Sequence, residues 1–141
     1  MKDEISTTAI LQHSLRSGKK CFIPQYFKGG SRMKMVELKD WEDYLALPLT
    51  SWNIRQPADV DIRPDAGQTG GLDLVLVPGL AFSSQGDRCG RGKGYYDTYL
   101  QNLTKTQAVP PMTVGLGFKE QIVENLPMDK HDFKIDVVIS P

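Results

Sequence analysis

The fold is decided by residues Leu72–Leu100, which read LDLVLVPGLAFSSQGDRCGRGKGYYDTYL. The almost continuous apolar run Asp73–Val77 predicts a strand that is covered on both faces. A basic loop, Arg88–Gly94, follows it with three cations among three glycines, and Tyr95–Leu103 then predicts a helix. α/β proteins bind phosphates at such a junction, because the amides at a helix N-terminus point outward unpaired and carry partial positive charge.

Short helices and strands are also predicted on both sides of this stretch. They are a helix at 6–17, strands at 20–23 and 32–38, a helix at 40–45, a strand at 112–118, a helical turn at 118–123 and a strand at 135–139. Pro24 is expected to end the first strand, and residues 50–71 are polar and irregular, which in a compact domain is typical of a functional or mobile loop. The alternation predicts an α/β fold, with α/β/α layers around a mostly parallel sheet. The length fits a single domain, 1–141.

The overall charge gives no reason for the chain to bind nucleic acid or an anionic membrane. Lys plus Arg and Asp plus Glu both number 17, so the net charge is zero and any electrostatic function must be local. Cys21 and Cys89 have no metal-ligand spacing and are interpreted as reduced thiols. We see no apolar signal region and no apolar run long enough to span a bilayer, and a cytoplasmic location is expected.

The glycine loop matches neither of the two common phosphate-binding fingerprints. Gly92-Lys93 is followed by Gly94 rather than by Ser or Thr, which excludes a Walker A loop, and Tyr95 stands where a dinucleotide fingerprint needs its third glycine. A flexible turn with solvated charges is the alternative. The three cations and the preceding buried strand favour anion binding instead, with Arg88, Arg91 and Lys93 supplying the charge.

Single residues near the loop leave their roles open. Asp97, one turn into the helix, either pairs with the helix dipole or binds Mg²⁺, which takes one or two carboxylates beside nucleotide phosphates. Tyr95 and Tyr96 either pack in the core or line a pocket. Trp52, in a polar loop, is a candidate for stacking on a flat heterocycle, whereas Trp41 is expected in the core.

Two segments together resemble the 5-formyltetrahydrofolate cyclo-ligase family, also called methenyltetrahydrofolate synthetases. They are Val77-Pro78-Gly79-Leu80-Ala81-Phe82 and Gly90-Arg91-Gly92-Lys93-Gly94-Tyr95-Tyr96-Asp97, of which the second is highly specific to the family. The resemblance extends over nearly the whole chain and includes residues 22–24, 50–54, 69–73, 118–121 and 132–137.

The resemblance implies an ATP- and Mg²⁺-dependent ring closure that turns 5-formyltetrahydrofolate into 5,10-methenyltetrahydrofolate and releases ADP and phosphate. Arg91 and Lys93 would be catalytic. Asp97 and Asp132 would bind Mg²⁺. The implied ATP loop comprises Arg88, Gly90, Arg91, Gly92, Lys93, Gly94, Tyr95 and Tyr96. The implied folate contacts are Glu4, Trp52 and Tyr96.

The resemblance also implies a reduced folate and ATP as the binding partners. It implies no nucleic acid, membrane or protein partner. A mitochondrial form of the protein is left open. Phosphoryl transfer mainly needs positioning and charge neutralisation, which a glycine loop with Arg91, Lys93 and a carboxylate-held Mg²⁺ supplies. The intermediate must be kept from water, so closure of the segment 50–71 is a further hypothesis.

The sequence departs from the family pattern in two places. Typical members begin earlier, with a basic helix and an apolar strand of the sheet, and we expect this first strand to be missing here. Gln25 stands where relatives often carry Arg. A catalytically impaired folate- or nucleotide-binding short form is therefore the alternative function. An RNA-binding module based on the loop cations is disfavoured, because no wider basic stripe accompanies them.

Overall fold

The computed structural model describes residues 5–127 and 132–141, which form two compact units. Among the described residues, the N-terminal unit is Ser6–Gly70, and the C-terminal unit comprises Ile5 and the residues from Gly71 onward. Within the described residues, no helix is both long enough and apolar enough to cross a membrane. Cys21 and Cys89 are free thiols, as expected.

The N-terminal unit is an antiparallel hairpin with two helices. Its elements are α1 (Thr8–Arg16), β1 (Cys21–Tyr26), β2 (Met33–Leu38), α2 (Trp41–Ala46) and a 3-10 turn at Ala66–Gln68. Cys21 lies opposite Leu38, and Pro24 lies opposite Met35. The prediction that Pro24 ends the first strand is therefore wrong. Proline is tolerated in β1 because this strand is at the edge of its two-stranded sheet.

Apolar side chains from the hairpin and both helices form the core of this unit. The buried cluster is Ile23, Val36, Leu38 and Leu47, with Leu11, Leu15 and Tyr44 packed against it. The helix α2 begins where Asp40 caps it, because the Asp40 carboxylate accepts a hydrogen bond from the Asp43 amide at 2.8 Å.

Residues 50–71 are anchored at several points rather than structureless. The side-chain amide of Gln56 and the backbone of Tyr26 exchange two hydrogen bonds, at 3.0 and 3.1 Å. Asp65 caps the 3-10 turn and accepts a hydrogen bond from the Met35 amide at 2.9 Å. Gln25 is buried and donates to the carbonyls of Pro57 and Ala58. The closure of this segment remains a prediction.

The C-terminal unit contains a parallel sheet and a second, mixed sheet. Its elements are β3 (Leu74–Val77), β4 (Ala81–Ser83), β5 (Arg88–Cys89), α3 (Tyr95–Thr106), β6 (Met112–Leu116), a 3-10 turn (Lys119–Gln121), β7 (Ile122–Val123) and β8 (Val137–Ile139). The strand β6 lies between β3 and β8 and is parallel to both. In the other sheet β4 lies between β5, to which it is antiparallel, and β7, to which it is parallel.

The predicted α/β fold with a parallel sheet is confirmed, with local corrections. The helix α3 continues three residues beyond the predicted end, and β8 begins at Val137 rather than at Ile135. The strand β3 is covered on one face only: Val75 is buried, whereas Leu74 is 54% exposed. The single-domain organisation, the three layers and the missing first strand remain predictions.

Phe82 occupies a space that three glycines leave open in the C-terminal unit. Its ring is fully buried, and a Cβ atom at Gly79, Gly115 or Gly117 would come within 2.5–3.1 Å of ring atoms. At Gly79 and Gly115 such distances are too short for real contacts, and at Gly117 the contact would be tight. These glycines therefore let the backbone after β3 and at the end of β6 approach the Phe82 ring of β4.

Candidate functional site

The basic loop begins with the two residues of β5, leads to the N-terminus of α3 and depends on two glycines with positive φ. Gly92 has φ of 86° and Gly94 has φ of 71°, the left-handed region in which a side chain costs free energy. Gly94 is the residue before the helix, and it has no side chain to accept hydrogen bonds from the first-turn amides. A helix N-terminus of this kind can bind an anion through its backbone.

The three loop cations divide into two kinds. Arg91 and Lys93 are exposed, on either side of Gly92. The Arg88 side chain is only 9% exposed. The exposed cations of the loop are thus Arg91 and Lys93, whereas Arg88 is almost buried.

Arg88 is bound within the protein. Its Nε donates to the Pro78 carbonyl at 2.6 Å, and its Nη1 donates to Asp97 Oδ1 at 3.4 Å. Its guanidinium carbon lies 5.6 Å from the centre of the Tyr96 ring. This side chain therefore connects the end of β3 to the first turn of α3.

Asp97 also receives a hydrogen bond from a distant part of the chain. The Phe133 amide donates to Asp97 Oδ1 at 3.1 Å, and this contact places the residue next to Asp132 against the first turn of α3. The structure thus brings Asp97 and the backbone beside Asp132 together, as a shared magnesium site requires. Hydrogen bonding of Asp97 outside the helix also shows that dipole pairing is not its only interaction.

The two carboxylates fit a magnesium–nucleotide site better than a metal site built by protein ligands alone. Across residues 5–127 and 132–141, no three His, Cys, Asp or Glu residues are grouped so that they could hold a metal ion. Mg²⁺ bound with a nucleotide takes one or two carboxylates and completes its shell with phosphate oxygens and waters. Asp97 and Asp132 are two carboxylates, which is the number and kind of protein ligand that such a nucleotide-bound Mg²⁺ takes.

The aromatic candidates differ in exposure. Tyr96 is 7% exposed and belongs to the buried face of α3, whereas Tyr95 is half-buried. Trp52 is 55% exposed in a turn of the N-terminal unit. Trp41, expected in the core, is instead half-buried and stacks on Tyr44 with ring centres 5.0 Å apart. Glu4 lies outside the described residues.

Sequence reasoning missed the residues that anchor the segment before the basic loop. Gln121 Nε2 donates to the carbonyls of Gly79 and Leu80 at 3.1 Å each. The Ile135 amide donates to the Gly86 carbonyl at 2.8 Å, and Lys134 Nζ lies 3.5 Å from the buried Oδ1 of Asp87. The spacing of residues along the sequence does not reveal such distant pairs. Gln121 does lie in the segment 118–121, which is part of the resemblance.

Comparison with known proteins identifies the family of this chain. The model of the 5-formyltetrahydrofolate cyclo-ligase family matches residues 1–141. The chain is 50% identical over 139 residues to 5-formyltetrahydrofolate cyclo-ligase of Mus musculus, covering 99% of this chain and 68% of that protein. It is 43% identical over 137 residues to a probable 5-formyltetrahydrofolate cyclo-ligase of Caenorhabditis elegans, covering 96% of this chain and 66% of that protein.

A solved structure has the same fold. The structure of Aquifex aeolicus 5,10-methenyltetrahydrofolate synthetase superposes with a TM-score of 0.71 at 27% identity, covering 99% of this chain and 64% of that one. The chain thus spans about two thirds of the length of each of these three relatives. On the match of its whole length and on these likenesses, the chain belongs to the 5-formyltetrahydrofolate cyclo-ligase family, which is a family of ligases.

Proposed function

We propose that this chain converts 5-formyltetrahydrofolate into 5,10-methenyltetrahydrofolate with ATP and Mg²⁺, releasing ADP and phosphate. The observation that carries the proposal is the loop before α3, where Arg91 and Lys93 are exposed beside a helix N-terminus. Family membership supports the chemistry of the reaction. The proposed location is the cytoplasm, although one relative, from Arabidopsis thaliana, is named as mitochondrial.

The proposed reaction has two steps. The formyl oxygen of the substrate attacks the γ-phosphorus of ATP, the bond to the β,γ-bridging oxygen breaks, and ADP leaves. N10 of the folate then attacks the activated formyl carbon, its proton is released, and the C–O bond breaks to free phosphate. Each step moves negative charge onto phosphate oxygens, so stabilisation of that charge is what the protein must provide.

The loop is suited to this task. Arg91 offers a planar fork that can bind two phosphate oxygens, and Lys93 offers a point charge. The backbone amides at the start of α3 add a fixed partial positive charge. Gly90, Gly92 and Gly94 carry no side chain, so a phosphate can approach the backbone of the loop closely. Tyr95 completes the proposed ATP loop.

Asp97 and Asp132 are the proposed holders of Mg²⁺, which when bound with ATP would neutralise charge on the phosphates. The hydrogen bond from the Phe133 amide to Asp97 Oδ1 supports the pairing, because it brings their two chain segments together.

Trp52, Tyr96 and Glu4 are the proposed folate contacts. The exposure of Trp52 supports stacking of its indole on the flat pterin, because an exposed aromatic face is available to a ligand.

The direct test is an absorbance assay for the methenyl product with the purified chain. We expect product when 5-formyltetrahydrofolate, ATP and Mg²⁺ are all present, and none when any one of them is omitted. Folate binding without turnover would support the alternative of an impaired short form. Product formation that continues without ATP would contradict the proposed reaction.

A further inference from the structure

Arg88 is almost buried and directs two of its N–H donors to acceptors inside the protein. The side chain is 9% exposed, Nε is bound to the Pro78 carbonyl at 2.6 Å, and Nη1 is bound to Asp97 at 3.4 Å. A guanidinium has five N–H donors in a rigid plane. Since two donor positions are directed to protein acceptors and the plane lies near the Tyr96 ring, this cation is poorly available to a phosphate.

Two glycines leave the space that this side chain fills. A Cβ atom at Gly90 would come within 2.8 Å of Arg88 Nη2, and one at Gly79 would come within 3.2 Å of Arg88 Cγ. Neither glycine has a positive φ, so backbone conformation does not explain them. At Gly90 the lack of a side chain is explained by the nearby guanidinium, whereas Gly79 leaves room for both the Phe82 ring and the Arg88 side chain.

The consequence of this packing is a fixed carboxylate. Asp97 Oδ1 accepts from both Arg88 Nη1 and the Phe133 amide, at 3.4 and 3.1 Å. Its Oδ2 accepts no hydrogen bond from any residue that the structure describes. One oxygen is thus held by the protein and the other is left for a cation.

We propose that Arg88 is a positioning residue, which orients the Asp97 carboxylate for Mg²⁺ and does not itself bind the ATP phosphates. The proposal rests on the proposed function and assigns Arg88 a different role from the one that the resemblance implies. Arg88 acts through Asp97, and Phe133 connects the same carboxylate to the segment that bears Asp132. Outer ligands of this kind often change metal affinity by 10- to 100-fold.

The test separates metal binding from phosphate binding. In Arg88→Lys the charge remains, but an ammonium cannot reach both Pro78 and Asp97 with the geometry of the fork. We expect Mn²⁺, measured by electron paramagnetic resonance with ATP present, to bind roughly 10-fold more weakly. ATP affinity measured calorimetrically with EDTA should stay within about twofold of the original. Arg16→Lys, an exposed arginine in α1, is the matched control and should change neither value.

A loss of metal-free ATP affinity in Arg88→Lys as large as that in Lys93→Ala would overturn the proposal, because it would make Arg88 a phosphate ligand. Unchanged Mn²⁺ affinity would overturn it equally. These binding measurements need no turnover, so they remain decisive even where the chain has no cyclo-ligase activity.

A second variant tests the position of Arg88 without removing it. In Gly90→Ala the added methyl group displaces the Arg88 guanidinium. This variant tests the proposal even when Arg88→Lys does not fold. We expect the same selective loss of Mn²⁺ affinity, together with several-fold faster hydrogen exchange at the Phe133 amide, whose acceptor is Asp97. Unaltered exchange and Mn²⁺ affinity in Gly90→Ala would contradict the proposal.

Discussion

At the scale of single residues, glycines serve different purposes that the sequence does not distinguish. Gly92 and Gly94 have positive φ, whereas Gly79 and Gly90 leave room for Arg88. The sequence predicts that a glycine-rich loop lies here. It does not predict which side chain fills the space, because that depends on a partner as distant in the chain as Pro78.

A pair of glycines with similar positive φ tests this distinction. Gly29 and Gly86 have φ of 86° and 94°, but a Cβ atom at Gly29 would meet nothing within 4 Å, whereas one at Gly86 would collide with the Ile135 carbonyl. We expect Gly29→Ala to lower the free energy of unfolding by about 1 kcal/mol, the cost of conformation alone. Gly86→Ala should cost about 3 kcal/mol, because a steric clash is added.

Urea unfolding followed by circular dichroism measures both values. Equal losses in the two variants would show that the contact between Gly86 and Ile135 has no energetic consequence. The control variant is informative because it changes the same residue type in the same region of φ, and only the surroundings differ.

At the scale of elements, the longer segments follow from the sequence, whereas three of the shortest strands do not. The helix α3 and the strands β3 and β6 have enough residues for an apolar pattern to be visible. The strands β4, β5 and β7 have only two or three residues each, and they are extended because neighbouring strands pair with them. Tertiary pairing of this kind leaves no periodic signal in the sequence.

An ion pair links α2 to the segment 50–71 and makes the N-terminal unit sensitive to acid. Arg63 binds both carboxylate oxygens of Asp43, at 2.9 and 3.0 Å. These hydrogen bonds hold the pKa of Asp43 below its usual value, against the opposing effect of burial, and the carboxylate raises the pKa of Arg63.

The pH dependence follows from the direction of that shift. A carboxyl group whose pKa is lower in the folded state stabilises it fully above the unfolded pKa of about 4, and the stabilisation is lost as the pH falls through the folded pKa. Between pH 6 and pH 3, we expect the free energy of unfolding to fall less in Asp43→Asn than in the original chain. Urea unfolding at each pH measures it. Identical pH profiles would show that the pair does not contribute. Asp59→Asn, an exposed aspartate in the same segment, is the control and should leave the profile unchanged.

At the scale of the whole molecule, a net charge of zero is compatible with the cluster of positive charge in the basic loop. The net charge of zero gives no general attraction for polyanions, so the function must be carried by a few positioned cations. The sequence was sufficient to predict the parallel sheet, the loop and the family. It was insufficient to predict the contacts that fix Asp97, since these join it to residues 9 and 36 positions away.

The central claim is that Lys93 and the loop around it form the ATP site of a cyclo-ligase. Its most direct test is the rate of methenyl product formation, measured by absorbance, in the original chain, Lys93→Ala and Lys105→Ala. Lys105 is an exposed cation at the other end of α3, so it controls for loss of charge on the same helix. We expect Lys105→Ala to keep the original rate and Lys93→Ala to lower kcat/KM by about 100-fold or more, as for loss of a donor that stabilises transition-state charge. A Lys93→Ala variant as active as the original chain would contradict the account.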